Sequence, residues 1–209
     1  MKRVFFLAGI LLTSLCIQAQ DPEGDGSGDA KKKKKIDPKF TVLGGLAFST
    51  ISGESDSYNK LLIGGQAGFR VNVVDLSDVL SLRAGAEFSM QGAGYDDGGF
   101  TGDVRLNYIN FPIVTHYQSP GGFYADGGLQ PGIVISAKDH YDGMSVDYKD
   151  FINTFDLSVL LGGGYQVNEN IGIGAQAAFG ITNINKKQSG YEPNKDRNLV
   201  FSIRGQYTF

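Results

Sequence analysis

The chain has 209 residues, 41% of them hydrophobic and 20% charged, with 30 glycines, 14 phenylalanines, 10 tyrosines and no tryptophan. A formal net charge of -3 and a pI near 5.3 leave no basic footprint for a nucleic acid. With Cys16 the single cysteine, an internal disulfide framework and a thiolate metal site are both excluded.

In chain order, Lys2 and Arg3 come first, then an apolar run from Val4 to Leu15, then the small residue Ala19. This is the layout of an export signal, predicted to occupy residues 1–19 and to be cut after Ala19. As an uncleaved anchor the run is short for a membrane-spanning helix. A lipoprotein signal ending at Cys16 is disfavoured by the bulky Leu15 before it. Cleavage removes two basic residues and no acid, so the mature chain is more acidic.

Residues 20–38 change character, from a run rich in Asp, Gly and Ser to five consecutive lysines, Lys31 to Lys35. Such a stretch buries too little apolar surface to offset its ordering entropy, so a disordered periplasmic tether is predicted. Its lysines either meet anionic lipid head groups or an acidic partner, at about 1 kcal/mol each, or serve as a solvated linker.

From residue 39 onward the pattern has period two. Strands are predicted over residues 39–49, 60–74, 79–90, 104–118, 122–137, 155–165, 170–181 and 198–209. In the third, Leu80, Leu82, Ala84, Ala86, Phe88 and Met90 alternate with Ser81, Arg83, Gly85, Glu87 and Ser89. In the fourth, Pro112 has no donor for a ladder and predicts a bulge or a local gap in pairing. Glycines within apolar runs, as at Gly172 and Gly174, suit strands that curve around a narrow barrel. The last strand puts Leu199, Phe201, Ile203, Tyr207 and Phe209 on one parity and Val200, Ser202, Arg204, Gln206 and Thr208 on the other.

Connections alternate strictly. Residues 75–78, 118–122 and 166–170 read as short turns, while 50–59, 91–103, 138–154 and 182–197 are long, polar loops. An even-numbered meander with its short turns at one end is the organisation of an outer-membrane barrel, short turns periplasmic and long loops outside. The fold class predicted is therefore all-β: a transmembrane, antiparallel, up-and-down barrel of about eight strands over residues 39–209. A soluble barrel of the lipocalin type is the rival, with the two faces exchanged. Against it, the polar parity carries Arg70, Arg83, Glu87, Asp126, Asp156 and Arg204, mixed charges able to pair across a tight lumen, and little of the lysine decoration of a solvated exterior.

An eight-stranded barrel is just wide enough for side chains to fill it, so those six residues are expected to form a structural plug. No catalytic, cofactor-binding or metal-ligating residue is assigned. His116, beside Tyr117 near the periplasmic end, reads equally as an interfacial polar residue or a base. Asp139, His140 and Asp142 share a loop, and a solvated loop is favoured over an acid/base or cation cluster. Residues 96–99 suggest a turn, because the regular calcium-loop ligand series is absent. Gly162, Gly163 and Gly164 open no helix and make no phosphate cradle.

The stretch Leu106-Asn-Tyr-Ile-Asn-Phe-Pro-Ile-Val-Thr-His-Tyr117, followed by Gly122-Phe-Tyr-Ala-Asp-Gly-Gly128 and a terminal Tyr-x-Phe, resembles the PorT-type outer-membrane β-barrel family of Bacteroidetes. The resemblance implies fold and location, a small outer-membrane barrel over about residues 40–209, and no functional residue. The expected role is non-enzymatic: structural, partner-docking or through the surface loops. A small hydrolase or acyltransferase using His116 or His140, or a narrow channel, is the alternative. Expected partners are outer-membrane lipid, the barrel-insertion machinery acting on the C-terminal strand, and a protein partner of unknown identity. No cofactor is expected.

Overall fold

A computed structural model of the chain describes residues 39–54, 60–97, 99–188 and 192–209. The export signal and tether read in residues 1–38 lie outside these, as does the tip of the first long loop. The strands are β1 (Phe40–Gly53), β2 (Leu62–Asp75), β3 (Leu80–Asp97), β4 (Phe100–Asn110), β5 (Ile113–Gln118), β6 (Phe123–Tyr141), β7 (Met144–Asp147), β8 (Phe155–Gln166), β9 (Ile171–Gly180) and β10 (Asp196–Thr208). A 3-10 turn, Lys149–Phe151, precedes β8.

All pairings are antiparallel, and β1 pairs with both β2 and β10, so the sheet closes on itself. Closure leaves the wall without an unpaired edge, as a bilayer requires of a β-structure. The strands build eight staves: β4 and β5 are one stave, and β7 lies outside the ring, paired with the end of β6. The break between β4 and β5 falls at Phe111 and Pro112, where the sequence signalled it. It is a gap and not a bulge. Glu87 pairs with Asn110 and Ala84 with Ile113, so the ladder resumes in the same register beyond the proline.

The faces follow the parity. On β10, Asn198, Ser202, Arg204 and Gln206 are buried in the lumen, while Phe201, Ile203 and Tyr207 point outward, Ile203 64% exposed. Outward positions on the other staves are likewise apolar, among them Ile63, Phe69, Ile113, Leu129 and Leu161. A soluble barrel would have to solvate that belt, so the lipocalin arrangement is excluded. Aromatic rings cluster at the short-turn end. Phe40 lies 5.5 Å from Phe69 and 5.9 Å from Phe209, and Phe123 lies 5.1 Å from Tyr165, the placement of an interfacial girdle.

Two long loops are not loops. β3 runs on to Asp97 and returns as β4, and β6 runs on to Tyr141 and returns as β7. The alternation continues there but with the faces reversed. Outward Ile133 and Ile135 give way to outward Lys138, paired across the ladder with outward Arg105, while Val104, Leu106, Ala93 and Ala137 are buried. These segments stand beyond the lipid belt, where water outside and a core inside demand the ordinary soluble polarity.

Candidate functional site

The lumen is stacked in layers. Nearest its middle, Asp126 on β6 collects three donors: His116 Nδ1 at 2.7 Å on Oδ1, and Arg204 Nη2 at 2.8 Å and Arg70 Nη1 at 3.3 Å on Oδ2. Arg70 also donates through Nε to Glu87 at 2.6 Å and through Nη2 to Gln176 at 2.8 Å, and Arg204 Nη1 donates to the same Gln176 oxygen. All of these side chains are almost fully buried. Charges taken out of water are costly unless they are paired and their remaining donors satisfied; this layer pairs its charges across six staves with the help of one neutral amide, and leaves the Arg204 Nε buried without a partner.

Glu87→Gln removes one of the two carboxylates that hold Arg70 and leaves its shape. It is expected to lower the unfolding temperature in detergent, by the equivalent of about 1.5–3 kcal/mol for one charged hydrogen bond. An unchanged unfolding temperature would count against the plug.

Above this layer, toward the long-loop end, the lumen turns apolar. Ile51, Ala93, Val104, Leu106, Tyr108, Val134 and Ala137 pack into one cluster with Ile152 and Ile184, which enter from the connections. A bridge between Ile152 and Asn185, with the Asn153 amide donating to the carbonyls of Asn183 and Asn185, ties those connections together over the barrel. The expectation of a lumen plugged by one network of six charged residues is thus corrected. Asp156 stands apart, within the apolar layer, accepting from Asn198 at 2.9 Å and from Thr182. Asn198 also donates to the Tyr108 hydroxyl at 2.8 Å. Period-two patterning fixes the face of each residue but not its height, and height is what separates Asp156 from Asp126.

Below the ionic layer, toward the short turns, lies Arg83, half-buried and outside the network. Tyr124 crosses the wall beside it, and Gly164 and Gly174 make this possible: a Cβ on either would fall within about 2.5 Å of the Tyr124 hydroxyl. The triple glycine on β8 thus serves packing. The lumen opens here into a cavity of about 350 Å³ bounded by the short turns.

His116 is not interfacial. It lies inside, 2% exposed, because Ile113, Thr115 and Tyr117 take the outward parity of β5. Its Nδ1 is committed to Asp126 and its Nε2 lies 3.3 Å from Gln118. The parity was a signal that could have placed it; Gln176, the acceptor shared by Arg70 and Arg204, was not singled out in the sequence.

The cluster read around His140 is dispersed. Asp139 accepts from Tyr95 at 2.9 Å, and Asp142 sits in the tight β6–β7 turn with φ 48°. The register instead lines up Asp103, His140 and Ser145 across three strands. That row is not a relay. Asp103 lies 3.6 Å from His140 Nδ1 and is held by Arg105 at 2.5 and 3.3 Å, so it does not orient the ring. Among the described residues no group of three His, Cys, Asp or Glu is placed to hold a metal. Asp96, at the end of β3, pairs with Lys60 at 2.8 Å, in keeping with the turn expected there.

Residues 18–186 match the family model described as outer membrane protein beta-barrel domain. No curated protein matches the chain in sequence. Among solved structures, Neisserial surface protein A is similar, with 17% identity over 81% of this chain and 97% of that one and a TM-score of 0.57. Ail, the attachment invasion locus protein of Yersinia pestis, solved in complex with the heparin analogue sucrose octasulfate, is 13% identical over 83% of this chain and all of that one, with a TM-score of 0.53. At such identities the likeness establishes the fold.

Proposed function

We propose that this chain, which belongs to the outer membrane protein beta-barrel domain family, works as a closed barrel whose exposed ends, and neither a channel nor a catalytic centre, carry its role. The observation behind this is the filled lumen. Arg204, Tyr108, Leu106, Leu160, His116, Val114 and Val134 are all buried to below 2% exposure or close to it, and the ionic and apolar layers follow one another along the axis. An ion would have to displace a paired charge layer and then cross hydrocarbon.

With short turns periplasmic and long connections outside, the parts left to meet a partner are the hairpins β3–β4 and β6–β7, which stand beyond the lipid belt. Phe100, Met144 and Val146 are exposed on them, an apolar surface in water. We assign these hairpins the docking role. Around this core stand the finer readings: an export signal cut after Ala19, a periplasmic tether over residues 20–38 with its five lysines, insertion guided by the C-terminal strand ending at Phe209, and a PorT-type affiliation resting on the stretches Leu106 to Tyr117 and Gly122 to Gly128 with the terminal Tyr-x-Phe.

The test is conductance in planar bilayers with the purified barrel. The expected trace is indistinguishable from the protein-free membrane, and discrete steps above background would overturn the closed-barrel reading. A photo-crosslinking residue at Val146, compared with one at Val167 on the short-turn end, then locates the docking face in native membranes.

A further inference from the structure

We infer that the cavity at the short-turn end is a binding site for a small zwitterion, an amino acid or short peptide held by its carboxylate on Arg83, with its ammonium toward the acids at the mouth. The cavity reaches the ionic layer at His116, which lines it and whose Nδ1 is held by Asp126. Its volume of about 350 Å³ lies at the small end of the range for ligand pockets.

Arg83 is the feature that needs a partner. Its Nε is buried with no hydrogen-bond partner, and among the described residues no carboxylate pairs with it. Asp126 cannot serve, because its two oxygens already accept from His116, Arg70 and Arg204. The side chain opposite Arg83 in the ladder, Asn72, does not serve either. It turns its amide nitrogen to Asp75 at 2.7 Å and leaves its own oxygen buried without a donor. Among the described residues the ion pairs of the neighbouring layer join Arg70 and Arg204 to Glu87 and Asp126, and none of them includes Arg83. A planar guanidinium with free donors is matched by a carboxylate that accepts two of them.

The mouth has the opposite sign. Among the described residues Asp75 and Glu169 line it together with the base Lys39. That rim repels a di- or trianion such as phosphate and favours a ligand that carries a cation behind its leading carboxylate. The site and its charge pattern hold whichever way the barrel faces. Only the statement that the ligand comes from the periplasm rests on the orientation proposed above.

The experiment titrates the full chain, folded in detergent micelles, with four probes by calorimetry: triglycine, N-acetyl-triglycine, triglycine amide and inorganic phosphate. Triglycine is expected to bind saturably, N-acetyl-triglycine more weakly, and the amide not at all. Arg83→Gln is expected to weaken triglycine by about tenfold or more, the loss of a charged hydrogen-bonded contact. Among the described residues Arg83 makes no ion pair, so this variant should fold, which heat-modifiable migration on a gel checks directly. Glu169→Gln, at an exposed position, is expected to weaken triglycine and leave N-acetyl-triglycine unchanged. Absence of triglycine binding, equal binding of the amide, or full affinity in Arg83→Gln overturns the site. Phosphate binding tighter than triglycine overturns the zwitterion and leaves a simple anion site. None of these outcomes bears on conductance, so this proposal and the closed barrel fail independently.

Discussion

Asp126→Ala is expected to cost the folded barrel about 3–5 kcal/mol, the range for removing one partner of a buried ionic cluster. The reason is the number of groups left behind. Arg70 and Arg204 both direct a guanidinium nitrogen at Asp126 Oδ2, and His116 directs Nδ1 at Oδ1, from staves on three sides of the lumen. Without that carboxylate Arg204 keeps only Gln176, a neutral acceptor, and Glu87 remains for Arg70 alone.

A second substitution separates charge from packing. Adding Arg204→Met to Asp126→Ala removes the most stranded cation and is expected to recover part of the loss, as interacting sites do in a double-mutant cycle. The measurement is urea unfolding in lipid vesicles, followed by the folded and unfolded bands on an unboiled gel. If the double variant is less stable than Asp126→Ala by the full cost of Arg204→Met alone, the two residues are independent and the layer is not an electrostatic unit.

Leu161→Arg is the other large effect, and it tests the outer face. Leu161 lies in the middle of β8, 54% exposed, paired with Ala177 on one side and Gly127 on the other. At mid-depth in a bilayer an arginine on the lipid face costs about 2–4 kcal/mol. Val167, in the turn after β8, is 55% exposed and provides the control. To water the two sites are equivalent, and to a membrane they are not. Val167→Arg is expected to be nearly neutral in lipid vesicles while Leu161→Arg unfolds at clearly lower urea. Equal effects would mean that the apolar belt is not in hydrocarbon.

The barrel itself was legible because period two is a strictly local property. Leu80 to Met90 names its own two faces, and the final strand does the same from Leu199 to Phe209 without reference to any other part of the chain. The alternation of short and long connections supplied the even meander, and Pro112 announced the break in its stave. Inward charge was legible too: Arg70, Glu87, Asp126, Asp156 and Arg204 are all buried in the lumen.

The two extended hairpins were missed for a physical reason. Beyond the membrane the polarity of the faces reverses, so Lys138 looks like a loop residue to a rule that expects apolar outward positions. Gln176 was missed because a neutral amide in a Gly/Ala-rich strand carries no signal until Arg70 and Arg204, 106 and 28 residues away in sequence, are brought against it.

The sequence alone therefore determined what each residue can know from its neighbours along one strand: the strands, their faces, the order of short and long connections, and the breaking of one stave at a proline. The tertiary structure alone decided what depends on strand register around a closed ring. It put Asp126 level with two arginines and a histidine, raised Asp156 into an apolar layer, and left Arg83 alone at the open end. Register sets the height of a side chain in the lumen. It is fixed by ladder pairs between distant parts of the chain, which a reading of one strand at a time does not contain.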